Sequence, residues 1–162
     1  MELLFALHVF DHRPRAEVAD FLRDIRPWAY RLALAVVGTP EAAEDVAQDA
    51  MVRAWRAQGA LARADDMRAW LRKVVVRQAI TALKRNRFAE LPEMAAPDQE
   101  PSMQVRSILA TLPPETRALL ALAYFEGLTY AELAETLGIP EGTVGSRLHT
   151  AKAAFRAQWG DR

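Results

Sequence analysis

The sequence predicts an all-α protein: two small helical domains, residues 1–87 and 105–162, joined by an acidic, proline-containing linker over residues 88–104. Three observations predict it. Almost every apolar pattern recurs at helical spacing, and no stretch alternates with β-branched enrichment. Helix-opening and helix-ending residues stand at the edges of those patterns. The stretch that lacks them, "FAELPEMAAPDQEPSMQ", carries Pro92, Pro97 and Pro101, which rule out a continuous helix.

Taken in order, residues 15–37 read as one helix or two, with Pro27 as a kink or boundary because proline removes a helical hydrogen bond. In "GTPEAAEDVAQDAMVRAWRAQG", Thr39 is the expected N-cap, Pro40 suits the first helical position and Gly59 is the expected stop. Ala43, Val46, Ala47, Ala50 and Ala54 make the apolar stripe of that helix. A third helix is predicted over 66–87, with Leu71, Val75, Ala79 and Ala82 inward and Trp70 packing at its edge. Beyond the linker, helices are predicted over about 102–110, 114–126, 130–137 and 142–158. Thr129 and Glu132 make a capping box. Gly138 suits the left-handed residue that ends a helix, Ile139 can plug the corner, and Pro140 starts the next helix. Val144, Leu148, Ala151 and Phe155 then share a core-facing stripe. Helix, short turn and helix is the geometry of a DNA reader. An αα-hairpin that only packs has the same pattern.

Composition narrows the function. Hydrophobic content of 51% among 162 residues suffices for packed cores. The absence of cysteine excludes disulfide and thiolate chemistry and fits a reducing cytosol. The opening "MELLFALHVFDHRPR" has neither the basic start nor the length of an export signal or a membrane span, so a cytoplasmic protein without membrane insertion is expected. The 21 basic and 21 acidic residues cancel, but they are segregated. Residues 68–87 hold seven Lys and Arg and no acid; residues 88–104 hold four acids and no base. Glu41, Glu44, Asp45 and Asp49 form another acidic block. Such blocks point to several partners.

Two faces follow from spacing. Asp45, Gln48, Asp49, Val52 and Arg56 share one side of their helix, opposite its apolar stripe. A solvated polar face would look the same. Lys73, Arg77, Thr81 and Lys84 line one side of the next helix, and a basic stripe on a rigid helix suits a phosphate backbone.

The string "LPPETRALLALAYFEGLTYAELAETLGIPEGTVGSRLHTAKAAF", residues 112–155, resembles region 4 of bacterial extracytoplasmic-function (group 4) sigma factors of the sigma-70 family. "AAEDVAQDAMVRAWRA" resembles their region 2.2, and "MRAWLRKVVVRQAITALKRNR" their regions 2.3–2.4. The resemblance implies a non-catalytic alternative sigma factor without a cofactor, directing RNA polymerase core to promoter DNA. It implies that Asp45, Gln48, Asp49, Val52 and Arg56 dock on the β′ clamp helices, with the β flap as a second polymerase contact. It further implies that Asp65 and Asp66 of the loop "QGALARADDM", with Lys73, Arg77, Thr81 and Lys84, meet the −10 element. A base flipped from the stack there needs stacking and polar contacts in return. Arg77 stands where some members have asparagine. The −35 element falls to Thr143, Ser146, Arg147, His149, Lys152 and Arg156. Gly145 and Thr150 depart from the basic residues usual in the family, so a weak −35 reader is expected. The linker would thread the channel that later carries RNA, or serve only as a tether. An anti-sigma factor is implied as a further partner.

Other classes fit less well. His8 and His12, four apart, could share a helix face as metal ligands, but no third ligand is evident. No nucleophile motif or phosphate loop is present in the sequence. A sigma-like decoy that binds a regulator and never initiates transcription is the alternative; zero net charge and the thin recognition helix fit it.

Overall fold

In the computed structural model the described residues are 2–85 and 103–160, with only the backbone course described for 2–14, 103, 106 and 160. The linker expected over 88–104 therefore lies outside the described residues except at its last two positions, which begin a helix, and so do the side chains of His8 and His12. The fold is all-α, in two helical clusters, and among the described residues there is no strand.

The first cluster holds four helices: α1 (Glu2–Val37), α2 (Pro40–Arg56), α3 (Gln58–Ala62) and α4 (Met67–Arg85). Of the alternatives of one helix or two, α1 is one and runs through Pro27 without a boundary. An interior proline costs about 3 kcal/mol. Val18 and Leu22 before it, and Leu32, Val36 and Val37 after it, are buried in one core. Each contributes roughly 1.5–3 kcal/mol on burial, so packing outweighs the lost bond. The helix ends at Gly38, whose N–H still reaches the Leu34 carbonyl at 2.9 Å and whose positive φ of 86° turns the chain out of the helix.

Thr39 occupies the N-cap of α2 with extended backbone, but its side chain makes no capping bond; Pro40 opens the helix. All five residues of the predicted stripe are buried. Gly59 is not the stop. The helix ends at Arg56, and Gly59 lies within α3, a short turn that drops Leu61 into the core. Burying one leucine outweighs glycine's modest preference for ending a helix. Asp66 opens α4 by accepting the Ala69 N–H at 3.0 Å. Leu71, Val75 and Ala79 of that helix are buried as expected, and Trp70 is half-buried against the core.

The second cluster comprises α5 (Met103–Thr111), α6 (Pro114–Leu120), α7 (Tyr130–Leu137) and α8 (Glu141–Gly160). A π turn over Ala121–Phe125 continues α6, so the single helix expected over 114–126 changes its winding near the end. The wider turn keeps Ala121 and Leu122 buried while Tyr124 and Phe125 emerge side by side. Arg117 ties α6 to the end of α5: its guanidinium donates to the carbonyls of Ala110 and Leu112, the latter at 3.1 Å. Burial lowers its pKa from the ordinary arginine value.

The turn between α7 and α8 follows the sequence closely. Thr129 and Glu132 form both bonds of the capping box. The Thr129 N–H and hydroxyl hold the Glu132 carboxyl below its ordinary pKa. Gly138 sits at φ 66°, and the Ile139 N–H reaches the Ala134 carbonyl at 3.0 Å. Val144, Leu148 and Ala151 are buried beneath α8, with Phe155 half-buried beyond them.

The clusters pack on each other. Helices α1 and α4 contact α6, while α1 also touches the π turn and α4 also touches α7. One hydrophobic core runs through both.

Candidate nucleic-acid interface

Helix α2 displays the first candidate surface. Its apolar stripe fixes it on α1 and α4, leaving Asp45, Gln48, Asp49, Val52 and Arg56 exposed on the far side. Val52 is 46% exposed and neighbouring Trp55 43%, so the acidic face carries apolar area beside its charges. That combination suits a protein partner better than water alone. Arg26 of α1 pairs with Glu44 at the edge of the face.

The basic face of α4 is engaged rather than open. Lys73 pairs with Glu135 of α7 at 2.6 Å, and Lys84 with Glu115 of α6 at 2.5 Å. Arg77 is exposed. The Thr81 hydroxyl donates to the Arg77 carbonyl at 2.8 Å, which leaves its oxygen as an acceptor. Of the two loop acids, Asp65 is exposed, whereas one carboxylate oxygen of Asp66 is committed to the start of α4.

On α8, Ser146, Arg147, His149, Lys152 and Arg156 are exposed and Thr143 is half-buried. The hydroxyls of Ser146 and Thr150 donate to the carbonyls of Thr143 and Ser146, at 3.0 and 3.1 Å. Ser146, Arg147 and Thr150 line a cleft of about 480 Å³ whose other wall includes Ile80 of α4 and Glu115 of α6. The two candidate DNA-facing helices thus meet across a shared cleft. A Cβ on Gly145 would stand 3.5 Å from the Tyr130 ring, ordinary contact distance.

Two features escape sequence reasoning. An apolar groove of about 500 Å³ runs between α5, the π turn and α8, with Tyr124, Phe125 and Phe155 in its wall and Lys152 and Arg156 at its edge. Lys152 lies over the Tyr124 ring at 5.4 Å. The second feature is a buried acid between the clusters. Glu126, its side chain 5% exposed, accepts the Trp28 indole N–H at 2.9 Å. Arg68 and Arg72 approach it at 3.5 and 3.7 Å. The "FEG" string that holds Glu126 gave no sign of these partners, of which Trp28 is 98 residues away.

Comparison with known proteins places this arrangement. The model of sigma-70 region 2 matches residues 21–89, and that of sigma-70 region 4 matches residues 102–155. The ECF RNA polymerase sigma factor SigL of Mycobacterium tuberculosis is 35% identical over 141 residues, spanning 78% of this chain and 80% of the relative. The chain belongs to the ECF sigma factors. SigE of Mycolicibacterium smegmatis, another ECF sigma factor, is 31% identical over 85% of this chain and 59% of its own length. The fold is shared with the sigma factor RpoE of Bartonella quintana, solved with the anti-sigma factor NepR. That similarity has a TM-score of 0.70 and 23% identity over 88% of this chain and 99% of the other. ECF sigma factors are non-catalytic transcription regulators. No helix among the described residues is long and apolar enough to cross a membrane.

Proposed function

We propose that the chain binds RNA polymerase core and directs it to promoters, with residues 1–87 and 105–162 acting as the −10 and −35 halves. The observation that carries the reading is the α2 face: Asp45, Gln48, Asp49, Val52 and Arg56 stand exposed together on a helix whose opposite side is wholly buried. A rigid acidic and apolar ridge of this kind docks on a basic helical partner, the β′ clamp helices. Asp65, Asp66, Lys73, Arg77, Thr81 and Lys84 serve the −10 element; Thr143, Ser146, Arg147, His149, Lys152 and Arg156 serve the −35 element. The groove beside Tyr124 and Phe125 offers apolar contact area for the β flap. An anti-sigma factor is the further partner, supported by family membership and by the RpoE neighbour solved with one.

Alone, the chain should bind duplex DNA only in the weak non-specific range of roughly 10⁻⁴–10⁻⁶ M, because its net charge is zero. Run-off transcription with purified polymerase core and a genomic promoter library tests the reading. Specific transcripts that depend on the chain support it. Polymerase binding without any promoter-dependent transcript would instead identify a decoy.

A further inference from the structure

A promoter reader must span its two elements. From −35 to −10 is about 25 base pairs, or roughly 85 Å at 3.4 Å per pair. A packed chain of this length has a radius of gyration near 15 Å, and even its longest helix, the 36-residue α1, runs only about 54 Å, so both fall well short of that span. The segment between Arg85 and Met103 can extend to about 60 Å, enough to let two separated halves reach. The packed arrangement therefore cannot hold both elements at once.

What holds it packed is specific. Glu126 follows the π turn, and its carboxylate enters the other cluster among Trp28, Arg68 and Arg72. Arg68 also lies over the Trp28 ring at 4.7 Å. The Arg72 Nε is buried without a hydrogen bond, so Glu126 is the countercharge that makes its burial tolerable. The outer pairs Lys73–Glu135 and Lys84–Glu115 close the same seam in solvent, where such pairs contribute little. In that state two cations of the α4 face already have internal acidic partners, and Ser146 and Arg147 face a cleft walled by Ile80.

We propose that Glu126 is an intramolecular latch. Seated between Arg68 and Arg72, it keeps the free chain closed, with Lys73 and Lys84 of the α4 face paired to acids of the second cluster, and its withdrawal is a required step before both halves engage a promoter. The consequence for promoters rests on the function proposed above; the latch itself is a property of the free chain and can be measured without polymerase.

The chain has no cysteine, so a spin-label pair can be placed cleanly at Glu41→Cys on α2 and Gln158→Cys on α8, both exposed. Pulsed EPR on the full chain should give one short, narrow distance for wild type. E126Q keeps an acceptor for Trp28 but removes the charge, and should raise the long-distance population at least tenfold. E126K should make it dominant, with far-UV circular dichroism unchanged, and should tighten binding to a fluorescein-labelled single-stranded DNA at least tenfold. R68Q, at a half-exposed side chain, should shift the distances the same way and serves if E126K loses helicity. Retention of the wild-type distance distribution in folded E126K or in R68Q overturns the latch, as does a wild-type chain that is already mostly open. Loss of polymerase binding on mutating α2, with the latch intact, would bear on the proposed function alone.

Discussion

Replacing Asp45 and Asp49 by lysine isolates the α2 face. Both side chains are exposed, and both stand opposite the buried alanine stripe. They lie four apart, so their mutual repulsion of about 0.2–0.5 kcal/mol is exchanged for a similar repulsion between lysines. Surface substitutions of this kind stay within about 0.5 kcal/mol each, so stability should change by no more than about 1 kcal/mol. Binding should respond far more. Close charge pairs across an interface couple by about 1.5 kcal/mol at the low end, so losing two removes about 3 kcal/mol, roughly a hundredfold in affinity. Fluorescence anisotropy against purified polymerase core measures this, with circular dichroism and thermal melting as the control for folding. Wild-type affinity in a fully helical double variant would refute the assignment of this face. Loss of helicity would show that the face is structural.

Other expectations follow from single sites. Because Thr129 holds the Glu132 carboxyl below its ordinary pKa, the stabilisation is complete above the usual carboxylate range and is lost as pH falls through the lowered folded-state value. The melting-temperature gap between wild type and Glu132→Ala should therefore shrink on acidification, and a gap independent of pH would contradict this. Leu61→Ala should cost about 2–5 kcal/mol in denaturant unfolding, since Leu61 is fully buried; a cost below about 1 kcal/mol would mean that α3 does not anchor its loop. Gly145→Arg should tighten binding to a −35 duplex and steepen its salt dependence by about one phosphate contact, because it adds a cation at a position whose Cβ would stand at ordinary contact distance from Tyr130. Weaker binding on titration at two salt concentrations would contradict the weak-reader account.

The α7–α8 turn was legible because each of its devices is local. A capping box, a left-handed glycine and a proline start all act within a few residues, and the structure shows each at its expected place. The apolar stripe of α2 was legible from periodicity alone. Spacing left open whether Pro27 divides its helix and misplaced the stop at Gly59 for one reason: tertiary burial of residues around them, Leu22 and Leu32 in one case and Leu61 in the other, outweighs a local preference of a few kcal/mol at most. Spacing likewise placed Lys73 and Lys84 on one face, but not their partners Glu135 and Glu115, which come from the other cluster. The Glu126 site joins α1, α4 and the end of the π turn. No window of sequence contains it.

The segment from Gln58 to Met67 is held at two points, by the Leu61 side chain in the core and by the Asp66 carboxylate on the start of α4. Between these anchors Ala62, Arg63 and Asp65 are exposed, with Ala64 half-buried among them. Stability and presentation are thus assigned to different residues of one short arch. Under the −10 role proposed for Asp65, exchanging the exposed residues should alter what the arch offers a base while costing the fold no more than the ordinary surface scatter of about 0.5 kcal/mol. On that reading the arch tolerates randomisation better than α4, whose Lys73 and Lys84 are paired with the second cluster.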